Sequence, residues 1–277
     1  MPGRRDPIAV FDSGVGGLTV LHELLVTLPH EDFLYLGDTA RFPYGERAAE
    51  ELERFVVEIG TRLLAHGAKL LVIACNSATA AGMAALQTLA ATGIDVVGVV
   101  TPESHLAAEA TRNGRIGLLG TRATVASGAY ARAVAAVDPS ATLFPVACPE
   151  LAPIIQCGFP FDERVVDTVR TYCAPLKEAR VDTVILGCTH YPLVRPMLQR
   201  ILGRGVTLIS SGPAIAGHIE RTLTLRGLLN DREGEGDYSF ECTGDVDAFR
   251  DLGTRFLQMP LGEVRHVELA PAAPVLS

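Results

Sequence analysis

Short apolar runs alternate along this chain with longer stretches of helical period. Eight runs predict strands: Ile8–Asp12, Phe33–Gly37, Lys69–Ala74, Asp95–Val100, Arg115–Gly120, Thr142–Ala147, Asp182–Gly187 and Val206–Ser210. They are nearly all-apolar rather than alternating, the pattern of strands covered on both faces by helices. The clearest helix is predicted over Arg47–His66. There Leu52, Phe55, Val56, Ile59, Leu63 and Leu64 fall on one stripe, and Glu50 and Arg54 are spaced to pair on the other face. Strand–helix–strand repetition predicts an α/β fold with parallel sheets and right-handed crossovers.

A faint echo runs through the chain. LLVIACNS ends at Ser77 and TVILGCTH ends at His190, and IAVFDSGVGG and RIGLLGTRAT both place Gly beside Asp, Ser or Thr at the end of an apolar strand. Two similar halves would put Cys75 and Cys188 in equivalent places, although all strand–turn–helix units look somewhat alike. No Pro/Gly/Ser-rich linker divides the chain, so a domain boundary would be a tight crossing. The Ala/Pro-rich end, Glu268–Ser277, is expected to fray.

The length of 277 residues suits two domains, and 48% hydrophobic with 20% charged residues excludes a disordered or fibrous chain. Aromatic residues make up only 6% and Trp is absent, so the core must be aliphatic. The net charge of −8, with no basic block to offset it, argues against nucleic acid or an anionic membrane as the main partner. An anionic small molecule stays open, because backbone N–H groups alone can hold one. No apolar run is long enough to predict a membrane span. Met1–Pro7 runs directly into a strand, so no secretory signal is predicted. Cysteines stand at positions 75, 148, 157, 173, 188 and 242 without a C-x-x-C or any zinc spacing, so free thiols and no metal site are expected.

Ligands of open α/β sheets sit beyond the carboxyl ends of the strands, which directs attention to the residues there. Four sets stand out: Asp12-Ser13-Gly14, Gly37-Asp38 with Pro43-Tyr44-Gly45, Cys75-Asn76-Ser77, and Cys188-Thr189-His190. A Cys just before a helix meets the positive end of its dipole, which favours thiolate and lowers the thiol pKa from about 8.5. Asn76 or Ser77 is a natural N-cap after Cys75, and Pro192 suits the first helical turn after Cys188. One such Cys would be assigned to the core. Two, each flanked by hydroxyl and amide groups, point to chemistry. Cys148, Cys157, Cys173 and Cys242 fall in loop or helix patterns and are taken as structural. Asp12 suits either an acid/base role or a turn carboxylate serving Gly14–Gly17. His190 could tune Cys188 or be a satisfied polar group. Glu150 is a weaker acid/base candidate, or a helix-terminus carboxylate. The Gly-rich segment after Asp12 lacks both dinucleotide spacing and a P-loop Lys, and implies a close backbone approach to a ligand.

FDSGVGGLTVL, YLGDTARFPYG, VIACNSATA, CPELAPII and VILGCTHYPL, in this order, closely resemble the glutamate racemases of the aspartate/glutamate racemase superfamily. The match runs from Ile8 to about Leu193 and continues weakly in TGDVDAFRDLGTRFL. The resemblance implies two pseudo-symmetric α/β domains, residues 6–98 with 212–266 and residues 99–211, facing across an active-site cleft, with 267–277 as a flexible tail. It implies that Cys75 and Cys188 are the acid/base pair of a cofactor-independent reaction, with Asp12, His190 and Glu150 assisting. Cys75 would accept the proton of D-glutamate and Cys188 that of L-glutamate. Asp12, Ser13, Tyr44, Gly45, Asn76, Ser77, Thr189 and His190 would hold the substrate. The usual form of the third motif is CNT, so Ser77 here keeps the hydroxyl and loses a methyl. A small-molecule partner, L- or D-glutamate, a cytoplasmic setting and a role in supplying D-glutamate for peptidoglycan follow from the same resemblance. A homodimer is compatible with it. Two rival functions remain at this point. A Cys–His hydrolase or acyl transferase would use Cys188 and His190 and leave Cys75 idle. A two-domain binding protein would need neither thiol.

Overall fold

A computed structural model describes residues 2–90, 93–158 and 162–269. The first half of the chain runs β1 (Ile8–Asp12), α1 (Leu18–Thr27), β2 (Phe33–Gly37), α2 (Ala49–Ala65), β3 (Leu70–Ile73), α3 (Asn76–Leu89) and β4 (Asp95–Gly98). It continues through α4 (Val100–Ala110), β5 (Arg115–Gly120), α5 (Arg122–Ala126), α6 (Ala129–Val137), β6 (Thr142–Ala147), α7 (Leu151–Gln156), α8 (Glu163–Glu178), β7 (Thr183–Gly187), α9 (Arg195–Leu202) and β8 (Thr207–Ile209). It ends with α10 (Ser211–Arg226), β9 (Tyr238–Cys242), α11 (Val246–Leu257) and β10 (Val264–His266).

The strands form two sheets with all pairs parallel: β10-β9-β2-β1-β3-β4 and β6-β5-β7-β8. The order β2-β1-β3-β4 in one sheet matches β6-β5-β7-β8 in the other, which makes β3 the counterpart of β7. Cys75 follows β3 and Cys188 follows β7, so the sequence echo has a topological counterpart. The halves are unequal, because β9 and β10 extend only the first sheet.

Successive residues of a strand face opposite ways, and the core follows that alternation. Ile8, Val10, Leu70 and Val72 join a cluster that continues into Leu119, Val184 and Leu186 of the second half. Ala9, Phe11, Leu71 and Ile73 pack on the stripe of α2. Ile116, Leu118 and Ile185 pack instead beside Tyr130 and Val134 of α6. At the amino ends of the strands Lys69 and Glu31 form a fully buried ion pair. Lys69 also donates to the carbonyls of Arg4 and Leu228, and Glu31 accepts the Asn230 N–H at 2.8 Å.

All eight predicted strands are present, some trimmed by one or two residues. Two strands, β9 and β10, had no apolar run to announce them, and β9 places Cys242 in a strand rather than a loop or helix. β6 is a half-exposed edge strand carrying Pro145, so cover on both faces does not extend to it. Near the start of α2 the i,i+4 ion pair is Arg47–Glu51, at 3.0 Å, with Arg47 just ahead of the helix, rather than Glu50–Arg54. Val267, expected in a flexible tail, is buried and its N–H donates to the Cys242 carbonyl at 2.9 Å; residues 270–277 lie outside the described residues.

Candidate active site

The carboxyl ends of the two sheets converge on one narrow cavity of about 30 Å³. The first half contributes Ser13 after β1, the turn Phe42–Glu46 after β2, and Cys75, Asn76 and Ser77 after β3. The second half contributes Thr121 after β5, Pro149, Ala152 and Pro153 after β6, and Cys188, Thr189 and His190 after β7. Two glycines allow the halves to touch. A Cβ on Gly16 would run into Thr189 and His190, and one on Gly45 into Thr121.

Cys75 is itself the N-cap of α3 and makes no side-chain capping bond. Asn76 and Ser77, expected as caps, are helical, and their side chains are used elsewhere. The Ser77 hydroxyl lies 2.9 Å from Thr121 Oγ1 and 3.2 Å from Thr124 Oγ1, tying the halves together. After β7 the chain makes a single 3-10 turn, Tyr191–Val194, with Pro192 in its first turn as anticipated.

The expected lowering of the thiol pKa values is overturned. Burial pushes Cys75 up to about 12, with the Asp12 charge adding to the rise. It pushes Cys188 well above the ordinary 9.0, with smaller contributions from charge on Cys75 and Asp12. Helix-terminus N–H groups pull the other way and are outweighed, because desolvating a thiolate costs more than one dipole returns. Both thiols are therefore held in the protonated form at neutral pH.

Asp12 lies beneath the cavity, fully buried, and accepts the Gly14 N–H at 2.9 Å and the Thr189 hydroxyl, from the opposite half, at 3.1 Å. Burial raises its pKa from 3.8 to about 6 against these hydrogen bonds. His190 stands between the rings of Phe42 and Phe256, and burial lowers its pKa to about 3, so the ring is neutral. Its Nε2 is 2.7 Å from Gln156 Oε1, an acceptor, which leaves Nδ1 to face Cys188 Sγ at 3.9 Å. The Tyr44 hydroxyl donates to buried Asp38, which also pairs with Arg41 and accepts from Thr243 at 2.7 Å.

Cys75, Cys188, Ser13, Tyr44, Gly45, Asn76, Ser77, Thr189 and His190 thus line one cavity, with Asp12 joined to it. Glu150 does not belong to that group. It is exposed at the N-terminus of α7 and lines no part of the cavity, the position of a helix-terminus carboxylate. Thr121, Phe42 and Gln156 were not singled out from the sequence. Thr121 was accessible through the echo between β1 and β5; Phe42 and Gln156 carry no signal of their own. Among the described residues no Arg or Lys lines the cavity, and no group of three or more His, Cys, Asp or Glu could hold a metal ion.

A family model for Asp/Glu/hydantoin racemases matches residues 22–219. The chain belongs to this family. It is 45% identical to a glutamate racemase of Beutenbergia cavernae, over 93% of this chain and 91% of that protein. It is 41% identical to a glutamate racemase of Listeria monocytogenes serotype 4a, over 96% of this chain and 99% of that protein. Among solved family structures, a glutamate racemase isoform of Bacillus anthracis superimposes with a TM-score of 0.92 at 38% identity, covering 96% of this chain and 98% of that one. A glutamate racemase of Francisella tularensis, solved in complex with D-glutamate, gives 0.90 at 30% identity with the same coverage. The protein is an amino-acid racemase of this family, and its two parallel sheets are the family fold. No described helix is long and apolar enough to cross a membrane.

Proposed function

We propose that the chain interconverts L- and D-glutamate without a cofactor, using Cys75 and Cys188 as the two bases. One observation carries this reading: two buried thiols follow topologically equivalent strands of the two sheets and line one cavity. Inversion at Cα needs a proton removed from one face and another delivered to the opposite face. A thiol contributed from each half suits that division without movement of either base. A Cys–His hydrolase would leave Cys75 without a task in the same cavity. The halves are taken as 6–98 with 212–266, and 99–211, in keeping with the strands each sheet contains.

The burial that keeps both thiols protonated also prepares the reaction. An α-ammonium cation entering a desolvated site favours a neighbouring thiolate. Cys188 faces the unprotonated Nδ1 of His190, which can accept a hydrogen bond from its S–H and so orient it, while Cys75 feels the charge of Asp12. The substrate carboxylates would be held by the Ser77 and Thr121 hydroxyls and by N–H groups at the start of α3, while Ser13, Tyr44 and Thr189, whose hydroxyls donate to Asp12 and Asp38, would shape the walls of the site. Such fixed donors also stabilise charge developing toward the α-carboxylate when Cα loses its proton. Donors at fixed spacing favour one chain length, since a shorter diacid leaves buried donors unpaired. Glutamate is therefore expected to exceed aspartate in kcat/KM. A cytoplasmic enzyme supplying D-glutamate for peptidoglycan accords with six unpaired cysteines.

Circular dichroism of L- and D-glutamate solutions tests the activity. Racemisation in heavy water, stopped early from each enantiomer, tests the mechanism. With two bases the product carries deuterium at Cα and recovered substrate remains protiated. Product that keeps the substrate's own hydrogen would reject the two-thiol mechanism, and absence of racemisation would reject the activity.

A further inference from the structure

The buried carboxyl of Glu103 has no part in the chemistry above, yet it sits where the two halves join. Glu103 lies in the first turn of α4, the segment by which the chain leaves the first sheet, and is fully buried. Its Oε1 accepts the hydroxyl of Ser211 at 2.5 Å. Ser211 begins α10, the segment by which the chain returns to the first half. Its Oε2 accepts the Asn76 Nδ2 at 3.1 Å and the hydroxyl of Tyr130, on α6 of the second half. One carboxyl thus meets both crossing segments, the helix that follows Cys75 and a helix of the opposite half.

The network fixes the Asn76 amide. Its Nδ2 donates both to Glu103 and to the Tyr130 oxygen, the latter at 2.6 Å, so both amide hydrogens are consumed. What remains is Oδ1, a buried acceptor with no partner among the described residues, on a residue that lines the cavity. Buried polar atoms in folded proteins are nearly always paired, so an unmet acceptor beside a cavity calls for a donor from a bound molecule. The α-ammonium group of an amino acid is such a donor. Turning the amide over would set its oxygen against Glu103 and the Tyr130 hydroxyl oxygen. Burial raises the Glu103 pKa from 4.5 to about 8 against the hydrogen bonds of Ser211, Tyr130 and Asn76, so above that pH the carboxylate, which can only accept, excludes that rotamer.

We infer that Glu103 is a positioning residue for the proposed reaction, holding the Asn76 carbonyl oxygen free to accept the substrate ammonium while pinning the two crossing segments together. This rests on the glutamate racemase reading above. The experiment is steady-state kinetics with L- and D-glutamate at about pH 9, where Glu103 is ionised, on the wild type, Glu103→Gln, Asn76→Ala and the double variant, with thermal unfolding of each. Glutamine keeps the shape but offers a donor where the carboxylate offered an acceptor, so the Asn76 amide loses its fixed orientation. The expected result is a KM raised roughly tenfold in Glu103→Gln, with kcat changed by less than about threefold. In the Asn76→Ala background the same substitution should change KM by less than about twofold. Tyr130→Phe, which leaves the carboxyl in place, should raise KM in the same direction by less, and it carries the test should the glutamine variant not fold. An unchanged KM, a loss confined to kcat, or an equal effect in both backgrounds would overturn the positioning role. A wild type that does not racemise glutamate would instead overturn the functional reading and this role with it.

Discussion

Asp12→Asn should make the protein more stable at neutral pH and far less active. The carboxyl is fully buried, and burial raises its pKa from 3.8 to about 6. That rise corresponds to roughly 3 kcal/mol against the ionised form in the folded state. Because the folded-state pKa is the higher one, the relative stabilisation from a protonated Asp12 is complete below about pH 3.8. It is lost as pH rises through about 6. Above pH 7 the wild type therefore bears the full penalty, and a neutral amide does not. The amide oxygen can keep the Gly14 N–H, and its NH₂ can donate to the Thr189 oxygen once that hydroxyl turns away. Allowing about 1–2 kcal/mol for imperfect pairing leaves a net gain of roughly 1–2 kcal/mol, or about 3–6 °C in Tm. Differential scanning fluorimetry of both proteins between pH 5 and pH 8 measures it. The Tm difference should grow with pH across that window, while kcat/KM for glutamate falls by about 10²-fold or more. A variant less stable than wild type at pH 8, or a Tm difference that ignores pH, would refute the burial argument.

Cys75→Ala and Cys188→Ala should each cut racemisation in both directions by about 10²–10⁴-fold with little change in unfolding, because each thiol is small; activity within a few-fold of wild type in either would remove that residue from the acid/base pair. Ala at Cys148, Cys157, Cys173 or Cys242 should leave turnover nearly intact in the same circular dichroism assay. Glu150→Gln should stay within about threefold of wild-type kcat/KM, since its side chain is exposed and away from the cavity; a tenfold loss would show that it reaches the substrate in solution. Lys69→Met leaves Glu31 buried without its cation and should cost about 3–5 kcal/mol in urea unfolding, with the specific activity of folded enzyme preserved.

Much of the fold was legible because each central strand is an apolar run that must be covered on both faces. β9 and β10 were not. β9 alternates and holds Ser239 and Glu241, and β10 has three residues; β9 forms on the edge that β2 offers, and β10 on the edge that β9 then offers. The strand-end residues around Asp12, Cys75 and Cys188 were visible for a related reason: small polar groups interrupt apolar runs where parallel strands stop. Glu150 was the weaker candidate at that level, and its position at the start of α7 turns it toward solvent, as a helix-terminus carboxylate. Nothing local distinguishes Glu103 from a surface carboxylate, and Asp38, although its place after a strand was visible, shows no local sign of its partners. Packing makes them buried hubs by bringing Asn76, Tyr130 and Ser211 to the first, and Tyr44, Arg41 and Thr243 to the second. The thiol pKa values divide along the same line. A helix start after a Cys is a local feature that a sequence announces, and it argues for thiolate. Desolvation depends on every atom that two distant halves place around the sulfur, so only the tertiary structure could reverse the sign.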